Sequence, residues 1–146
     1  MGLSDDQIRA RLRNPERFPP SARLMGMELI DFSSQERWAE FAFNPPPSFA
    51  NPAGNVQGGF ICGMLDDAMA LAVSIAQGFT VVVPTLQLST TFINPAPMSR
   101  LIARGEAIRI GKNTAQMQGA LRTPDGTVLA VSTASGVLRP YPGMAG

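Results

Sequence analysis

The sequence predicts an α+β fold in which one long apolar helix is wrapped by a curved antiparallel sheet. Residues 59–77 are apolar on nearly all sides and are followed by Gly78, a pattern typical of a helix buried in a core. Two strand-like segments precede this helix and four follow it, and their short connections favour antiparallel pairing. The 146 residues contain no repeat and no low-complexity segment, so we expect a single domain over residues 1–146.

An N-terminal helical arm is expected over about residues 1–23. Ser4 and Gln7 have the spacing of a capping box, which predicts a helix from Asp5 to about Arg13 that the following prolines end. Arginines make the arm basic, at positions 9, 11, 13, 17 and 23. These cations indicate either a solvated face or a contact for an anionic ligand or partner.

The strands are predicted from alternating apolar and polar residues between turn signals. The segments are 25–32 and 35–43 before the helix, and 80–93, 101–110, 114–122 and 128–138 after it. Within the long segment 80–93, Thr85 falls in the same alternating row as Gln87, Ser89 and Thr91.

Several residue types that catalysis often uses are missing. The chain has no histidine, which excludes histidine bases, histidine-activated nucleophiles and histidine metal ligands. The single Cys62 excludes an internal disulfide and a cysteine zinc site. Any catalysis therefore uses carboxylates, backbone amides, hydroxyls or side-chain amides, and we expect no metal or redox cofactor.

Charge and hydropathy bound the partners and the location. A net charge of +1 argues against general binding to nucleic acid or to membranes. Only 16% of the residues are charged, which indicates that a partner subunit covers part of the surface. The apolar helix is long enough to span a bilayer, but two adjacent aspartates in it would each cost roughly 2.5–3.5 kcal/mol there. With no apolar leader at the N-terminus, we expect a cytoplasmic protein.

The start of the long helix carries the strongest functional signal. Gly58 and Gly59 leave backbone amides accessible, and helix N-terminal amides stabilise the negative charge that forms when a carbonyl is attacked. The same glycines could instead serve only a tight loop-to-helix turn.

Two carboxylates follow on the same helix, within a stretch that has no lysine or arginine from Trp38 to Ser99. An unpaired buried carboxylate is costly, so Asp66 and Asp67 are candidates for catalysis. Adjacent helical residues point about 100° apart, so the two do not form one acid–base pair. The spacing does not decide which of them faces a cleft.

Two polar residues outside the helix are further candidates. Asn51 could hold a water or a carbonyl, or could simply form the turn before Pro52. Thr85 could donate its hydroxyl to a ligand, or could be an ordinary β-branched strand residue.

The residues Asn51, Gly54, Gln57-Gly58-Gly59 and Leu65-Asp66, with their spacing, resemble the signature of a known family. They are similar to hotdog-fold acyl-CoA thioesterases of the phenylacetate-degradation (PaaI-like) group. Residues 92–96, Phe-Ile-Asn-Pro-Ala, are similar to that family's strand-end element, and the resemblance spans about residues 45–138.

The resemblance implies a hotdog dimer, often paired into a tetramer, with sites at the dimer interface. It implies that Asp66 is the nucleophile or general base, and that the Gly59 amide, with Gly58 beside it, polarises the thioester carbonyl. It further implies that Asn51 positions the water or carbonyl and that Thr85 assists. The resemblance assigns no catalytic or binding role to Asp67.

Three further residues are expected at the substrate. Gln57 stands where the family has histidine, and its amide can still donate and accept hydrogen bonds. Arg100 and Lys112 suit the phosphates of coenzyme A, although solvent-facing strand charges are the alternative.

Acyl-CoA thioester hydrolysis is therefore the expected activity. The alternative, which Gln57 favours, is a non-catalytic hotdog module that binds acyl-CoA or an acylated carrier. A purely structural role remains open if Asp66 is exposed or pairs with an arginine of the partner subunit. The absence of histidine argues against the hotdog dehydratases and hydratases.

Overall fold

A computed structural model describes residues 2–143 and confirms the α+β architecture. Six antiparallel strands form one sheet in the order β1-β2-β5-β6-β7-β4, and the long helix α3 packs across it. Strands β3 and β8 form a separate two-stranded ladder. The elements are α1 Asp5–Leu12, α2 Pro20–Leu24, β1 Glu28–Ser33, β2 Trp38–Phe43, α3 Gly58–Ala76, β3 Val81–Val82, β4 Thr85–Phe92, β5 Leu101–Ile110, β6 Thr114–Arg122, β7 Val128–Val137 and β8 Arg139–Pro140.

Helix α3 forms the centre of the hydrophobic core. By length and hydropathy it could cross a membrane, but its apolar side chains lie against the sheet and the N-terminal arm. Met64, Leu65 and Met69 are fully buried. The helix backbone approaches the sheet so closely at Gly105 that a Cβ there would lie 2.3 Å from the Ala68 carbonyl oxygen.

The prediction of one long strand over residues 80–93 is wrong, because Val83 and Pro84 interrupt it and divide it into β3 and β4. Proline has no amide hydrogen for a ladder, so β3 pairs with β8 and β4 pairs with β7. The register also shifts between Thr85 and Gln87, where a bulge adds one residue to β4. A bulge re-aims the neighbouring side chains, and this one turns Thr85 out of the row that contains Gln87.

The N-terminal arm is folded onto the core and contains a helix that the sequence did not predict. Both hydrogen bonds of the predicted capping box between Ser4 and Gln7 are present. The short helix α2 begins at Pro20, which is favourable because proline fits the first turn of a helix. Arm residues that join the core are Ile8, Leu12, Phe18 and Ala22.

Strand β4 lies at one edge of the sheet and pairs only with β7 among the described strands. It carries two large exposed side chains, Leu86 at 65% and Phe92 at 52% exposure. An apolar edge strand of this kind is a site for pairing with another chain.

The approach of β5 to α3 gives a first prediction. Replacing Gly105 with alanine forces α3 away from the sheet, so we expect the free energy of unfolding to fall by about 3 kcal/mol. Urea unfolding followed by circular dichroism measures this change. Gly63→Ala is the matched control, since a Cβ there meets only the Met25 sulfur at 3.5 Å and alanine favours the helix. Equal stability of the two variants would contradict the close approach.

Candidate active site

One group of candidate residues is the pair formed by Asp66 and Thr85. The Thr85 hydroxyl donates a hydrogen bond to Oδ1 of Asp66 over 2.5 Å. The β-bulge makes this contact possible, because regular alternation would point Thr85 toward the opposite face of the sheet. Asp66 is half-buried and forms no ion pair with any residue between 2 and 143. The Asp66 carboxylate is thus oriented by a neutral donor and is not neutralised by a described cation.

The same face of α3 continues toward the helix start through a row of small polar groups. Cys62 contacts the Thr90 hydroxyl with its sulfur at 3.4 Å, and Thr90 shares a 2.6 Å hydrogen bond with Ser132. These contacts hold α3 against β4, and the two elements run in opposite directions. Asp66 lies near Thr85 at the first residue of β4, and the start of α3 lies near the other end of the strand.

The second group of candidates surrounds the start of α3. Asn51 and Gly58 line a cavity of about 450 Å³ together with residues 92–96. The Asn51 side-chain oxygen accepts hydrogen bonds from the backbone amides of Ala53 and Asn55, at 2.9 and 3.1 Å. Asn51 therefore holds its own turn through Oδ1 and presents its amide nitrogen as the remaining donor.

The backbone amide of Gly59 already has a hydrogen-bond acceptor within the chain. It donates to Oε1 of Gln57 over 2.7 Å, so Gln57 caps the helix with its own side chain. The Phe92 ring covers Gly58, since a Cβ at that glycine would lie 3.0 Å from the ring. The amide oxygen of Gln57 thus occupies the position that any other acceptor for the Gly59 amide would take.

Within one chain, the pair formed by Asp66 and Thr85 lies apart from the candidate residues at the start of α3. Gly59 and Asp66 are seven residues apart on a straight helix, which is about 10 Å along its axis. One carbonyl cannot be polarised by Gly59 and attacked by Asp66 of the same chain.

The two predicted phosphate-binding cations also lie apart. Arg100 precedes β5, where it pairs with Glu28 and contacts Asn44. Lys112 is in the turn after β5, at the other end of that strand, and forms no ion pair with a described residue. Within one chain, Arg100 and Lys112 do not converge on one site.

Asp67 faces a different part of the molecule from Asp66. It lines a cavity of about 210 Å³ between α3 and the N-terminal arm. Its Oδ2 atom is buried and has no hydrogen-bond partner among residues 2–143. Burial, and secondly the charge of Asp66, raise the pKa of Asp67 to about 6. The sequence indicated an unpaired carboxylate here, but the cavity and its lining depend on the folded arm.

This raised pKa makes stability depend on pH. The folded chain holds the Asp67 proton more tightly than the unfolded chain, whose pKa is near 3.8, so stability falls as pH rises from about 4 to about 6. We expect Asp67→Asn to be about 2 kcal/mol more stable than wild type at pH 7.5, with little difference at pH 4. Urea unfolding at both pH values tests this, with the exposed Asp6→Asn as control. Parallel pH dependence in wild type and Asp67→Asn would contradict it.

Comparison with known proteins places this chain in a family. The sequence profile of the thioesterase superfamily matches residues 53–130, more than half of the chain. No sequence matches among proteins with curated functional descriptions.

Solved structures extend the match. A candidate thioesterase from Ralstonia eutropha JMP134, described as a phenylacetic acid degradation-related protein, is 30% identical over 83% of this chain and 92% of its own, with a TM-score of 0.76. The Escherichia coli PaaI protein of the phenylacetic acid degradation operon shares 16% identity over 86% of this chain and 88% of its own, with a TM-score of 0.77. A Streptococcus mutans protein bound to acetyl-CoA shares 17% identity over 79% of this chain and 90% of its own, with a TM-score of 0.69.

At 16% and 17% identity the last two structures establish a common fold. The profile match and the Ralstonia relative go further, because the profile covers more than half of the chain and the relative is 30% identical over 83% of it. The chain belongs to the thioesterase superfamily, as a hotdog-fold thioester hydrolase that resembles the phenylacetate-degradation group.

Proposed function

We propose that this protein is an acyl-CoA thioesterase whose active site forms between two copies of the chain, with Asp66 as nucleophile or general base. The observation that carries the proposal is the position of the two groups of candidates. The Asp66–Thr85 pair and the Gly58–Gly59 helix start lie near opposite ends of the same edge strand.

A two-fold symmetric pairing of β4 with β4 of a second copy would bring these groups together. Antiparallel strands run in opposite directions, so the Phe92 end of one strand would lie beside the Thr85 end of the other. Gly59 of one subunit would then face Asp66 of its partner, and two equivalent sites would result. The same pairing would bury the exposed Leu86 and Phe92 side chains.

The proposed chemistry follows from these groups. The Gly59 amide binds the thioester oxygen and stabilises its negative charge as the carbonyl carbon is attacked. Asp66 either attacks that carbon directly or removes a proton from an attacking water, and Thr85 orients its carboxylate. In both routes the carbon–sulfur bond breaks and coenzyme A leaves as the thiol after taking a proton. Direct attack leaves an anhydride between the acyl group and Asp66, which a water hydrolyses to the free acid and the Asp66 carboxylate. In the general-base route the attacking water itself supplies the oxygen of the free acid.

The acyl-CoA substrate is supported by the acetyl-CoA bound to the Streptococcus mutans relative. Lys112, which is exposed and without an ion pair among the described residues, is a candidate for the phosphates, whereas Arg100 would have to leave Glu28 first. Pairing of dimers into a tetramer and a cytoplasmic location remain predictions.

A second candidate function is a module that binds acyl-CoA or acylated carriers without hydrolysing them. The hydrogen bond from Gly59 to Gln57 favours it, because the proposed oxyanion donor is occupied by a neutral side chain. Catalysis requires the thioester oxygen to displace Gln57 from this amide.

The role of Asp66 is tested by thiol release from a panel of aryl and straight-chain acyl-CoAs. We expect Asp66→Asn to lower kcat at least about a thousandfold, since the nucleophile or base is lost, while sedimentation shows an unchanged dimer. Asp6→Asn controls for removal of a surface carboxylate. Full activity in Asp66→Asn would contradict the mechanism. Tight binding of acyl-CoA by wild type without release of the coenzyme A thiol would favour the binding module.

The shared site is tested by mixing two inactive variants. Gly59→Pro removes the amide hydrogen at a first-turn position that tolerates proline, and Asp66→Asn removes the carboxylate. Random exchange of subunits gives half heterodimers, each with one intact site, so activity should return to about a quarter of wild type.

Native mass spectrometry serves as the control that heterodimers have formed. An inactive mixture in which heterodimers are present would show that Gly59 and Asp66 do not act on one substrate.

A further inference from the structure

The cavity beneath the N-terminal arm has no part in the proposed thioester chemistry. It opens on a different face of α3 from Asp66, because consecutive helical residues point about 100° apart. Asp67 contributes a carboxylate oxygen that is buried and unpartnered among the described residues. Leaving such an acceptor without a donor is unfavourable, so a ligand that supplies a donor would recover the free energy of the missing hydrogen bond.

Cations from the arm line the same cavity. Arg11 and Arg17 both reach it, and neither forms an ion pair with a carboxylate of the described chain. The guanidinium of Arg11 lies 4.9 Å from the ring centres of both Phe79 and Tyr141 and donates to the Tyr141 hydroxyl over 2.6 Å. Arg11 is therefore held in place by two rings and one hydroxyl, with donors left for an anion.

Most of the remaining walls of this cavity are apolar, with side chains that include Phe18, Met27, Leu71 and Val83. The hydroxyls of Ser74 and Tyr141 are the other polar groups in the lining, and that of Tyr141 already accepts a hydrogen bond from Arg11. Apolar walls with a few polar groups are typical of small-molecule sites. The charged groups here have opposite sign, with two cations on the arm and one carboxylate on the helix.

We propose that this cavity binds a small carboxylic acid that carries a hydroxyl group at its far end. The carboxylate would pair with Arg11 and Arg17, the hydrocarbon body would lie against the apolar walls, and the hydroxyl would donate to Oδ2 of Asp67. At pH 7.5 the Asp67 carboxyl is ionised and acts only as an acceptor, which selects a donor at this end. The site goes beyond the thioesterase activity and does not depend on it.

Binding is measured by titration calorimetry on the full chain at pH 7.5, with ω-hydroxyalkanoates of four to eight carbons as probes. The plain alkanoate of each length is the comparison. We expect the best hydroxy acid to bind wild type about tenfold more tightly than its plain counterpart, since a hydrogen bond to a charged acceptor adds about that factor. Asp67→Ala should reduce this ratio to about one, with circular dichroism as a check on folding.

The carboxylate end is tested separately. Arg17→Gln should weaken hydroxy acid and plain acid by the same factor, about tenfold, and so leave their ratio unchanged. Arg13→Gln is the matched control, because Arg13 belongs to the same arm but does not line the cavity. Equal loss of affinity in Arg13→Gln and Arg17→Gln would overturn the proposed contact.

Asp66→Asn separates this site from the thioesterase site. The proposal expects hydroxy-acid affinity to be unchanged in that variant, even if no acyl-CoA is hydrolysed. Absence of binding for every probe, or a hydroxy-to-plain ratio that Asp67→Ala does not alter, overturns the proposal. Competition between the hydroxy acid and an acyl-CoA would also overturn it, because the cavity would then be part of the active site.

Discussion

Burial of α3 against the sheet is the interaction on which the rest of this structure depends. The sheet curves around the helix, and a glycine on β5 removes the side chain that would hold the two backbones apart. Each fully buried leucine or methionine along α3 contributes roughly 1.5–3 kcal/mol, so the apolar face of the helix stabilises most of the core. This requirement leaves little room for charge on α3, and makes its two adjacent aspartates exceptional.

The fold gives those two carboxylates different surroundings. Asp66 turns toward β4, where Thr85 orients it, while Asp67 turns toward the N-terminal arm, where burial raises its pKa to about 6. The separation follows from the angle between consecutive helical residues. In the two proposals made above, one helix thus presents the catalytic carboxylate on one face and an acceptor for a different ligand on another.

In the proposed dimer, the edge strand β4 accounts for the separation of the two groups of candidate residues within a single chain. A β-sheet edge exposes unpaired backbone groups, and antiparallel pairing with the same strand of a second copy would satisfy them. That pairing would also bring the start of β4 in one copy beside the end of β4 in the other. Gln57 adds a condition to the proposed catalysis, because its side chain accepts the hydrogen bond of the Gly59 amide that the mechanism assigns to the substrate carbonyl. Substrate binding and displacement of that cap are thus the same event in the proposed mechanism.

The sequence by itself determined the fold class, the positions of α3 and of the strands β5 and β6, and the capping box of α1, because each depends on local periodicity and turn chemistry. The hairpin before α3 and the last long strand were also predicted, with less accurate ends. The residues of the candidate site were all visible as polar groups around an apolar helix. The sequence does not predict α2, because the same prolines fit both the end of α1 and the start of a new helix.

Contacts between distant segments were decided only by the tertiary structure. Alternation groups Thr85 with Gln87, Ser89 and Thr91, whereas the bulge turns Thr85 out of that row, and a bulge depends on how β4 registers with β7. The capping of Gly59 by Gln57 and the cavity around Asp67 depend likewise on side-chain packing and on the folded arm. Periodicity reports which face of its own element a residue occupies, whereas the partner on that face is set by chain packing that no local pattern encodes.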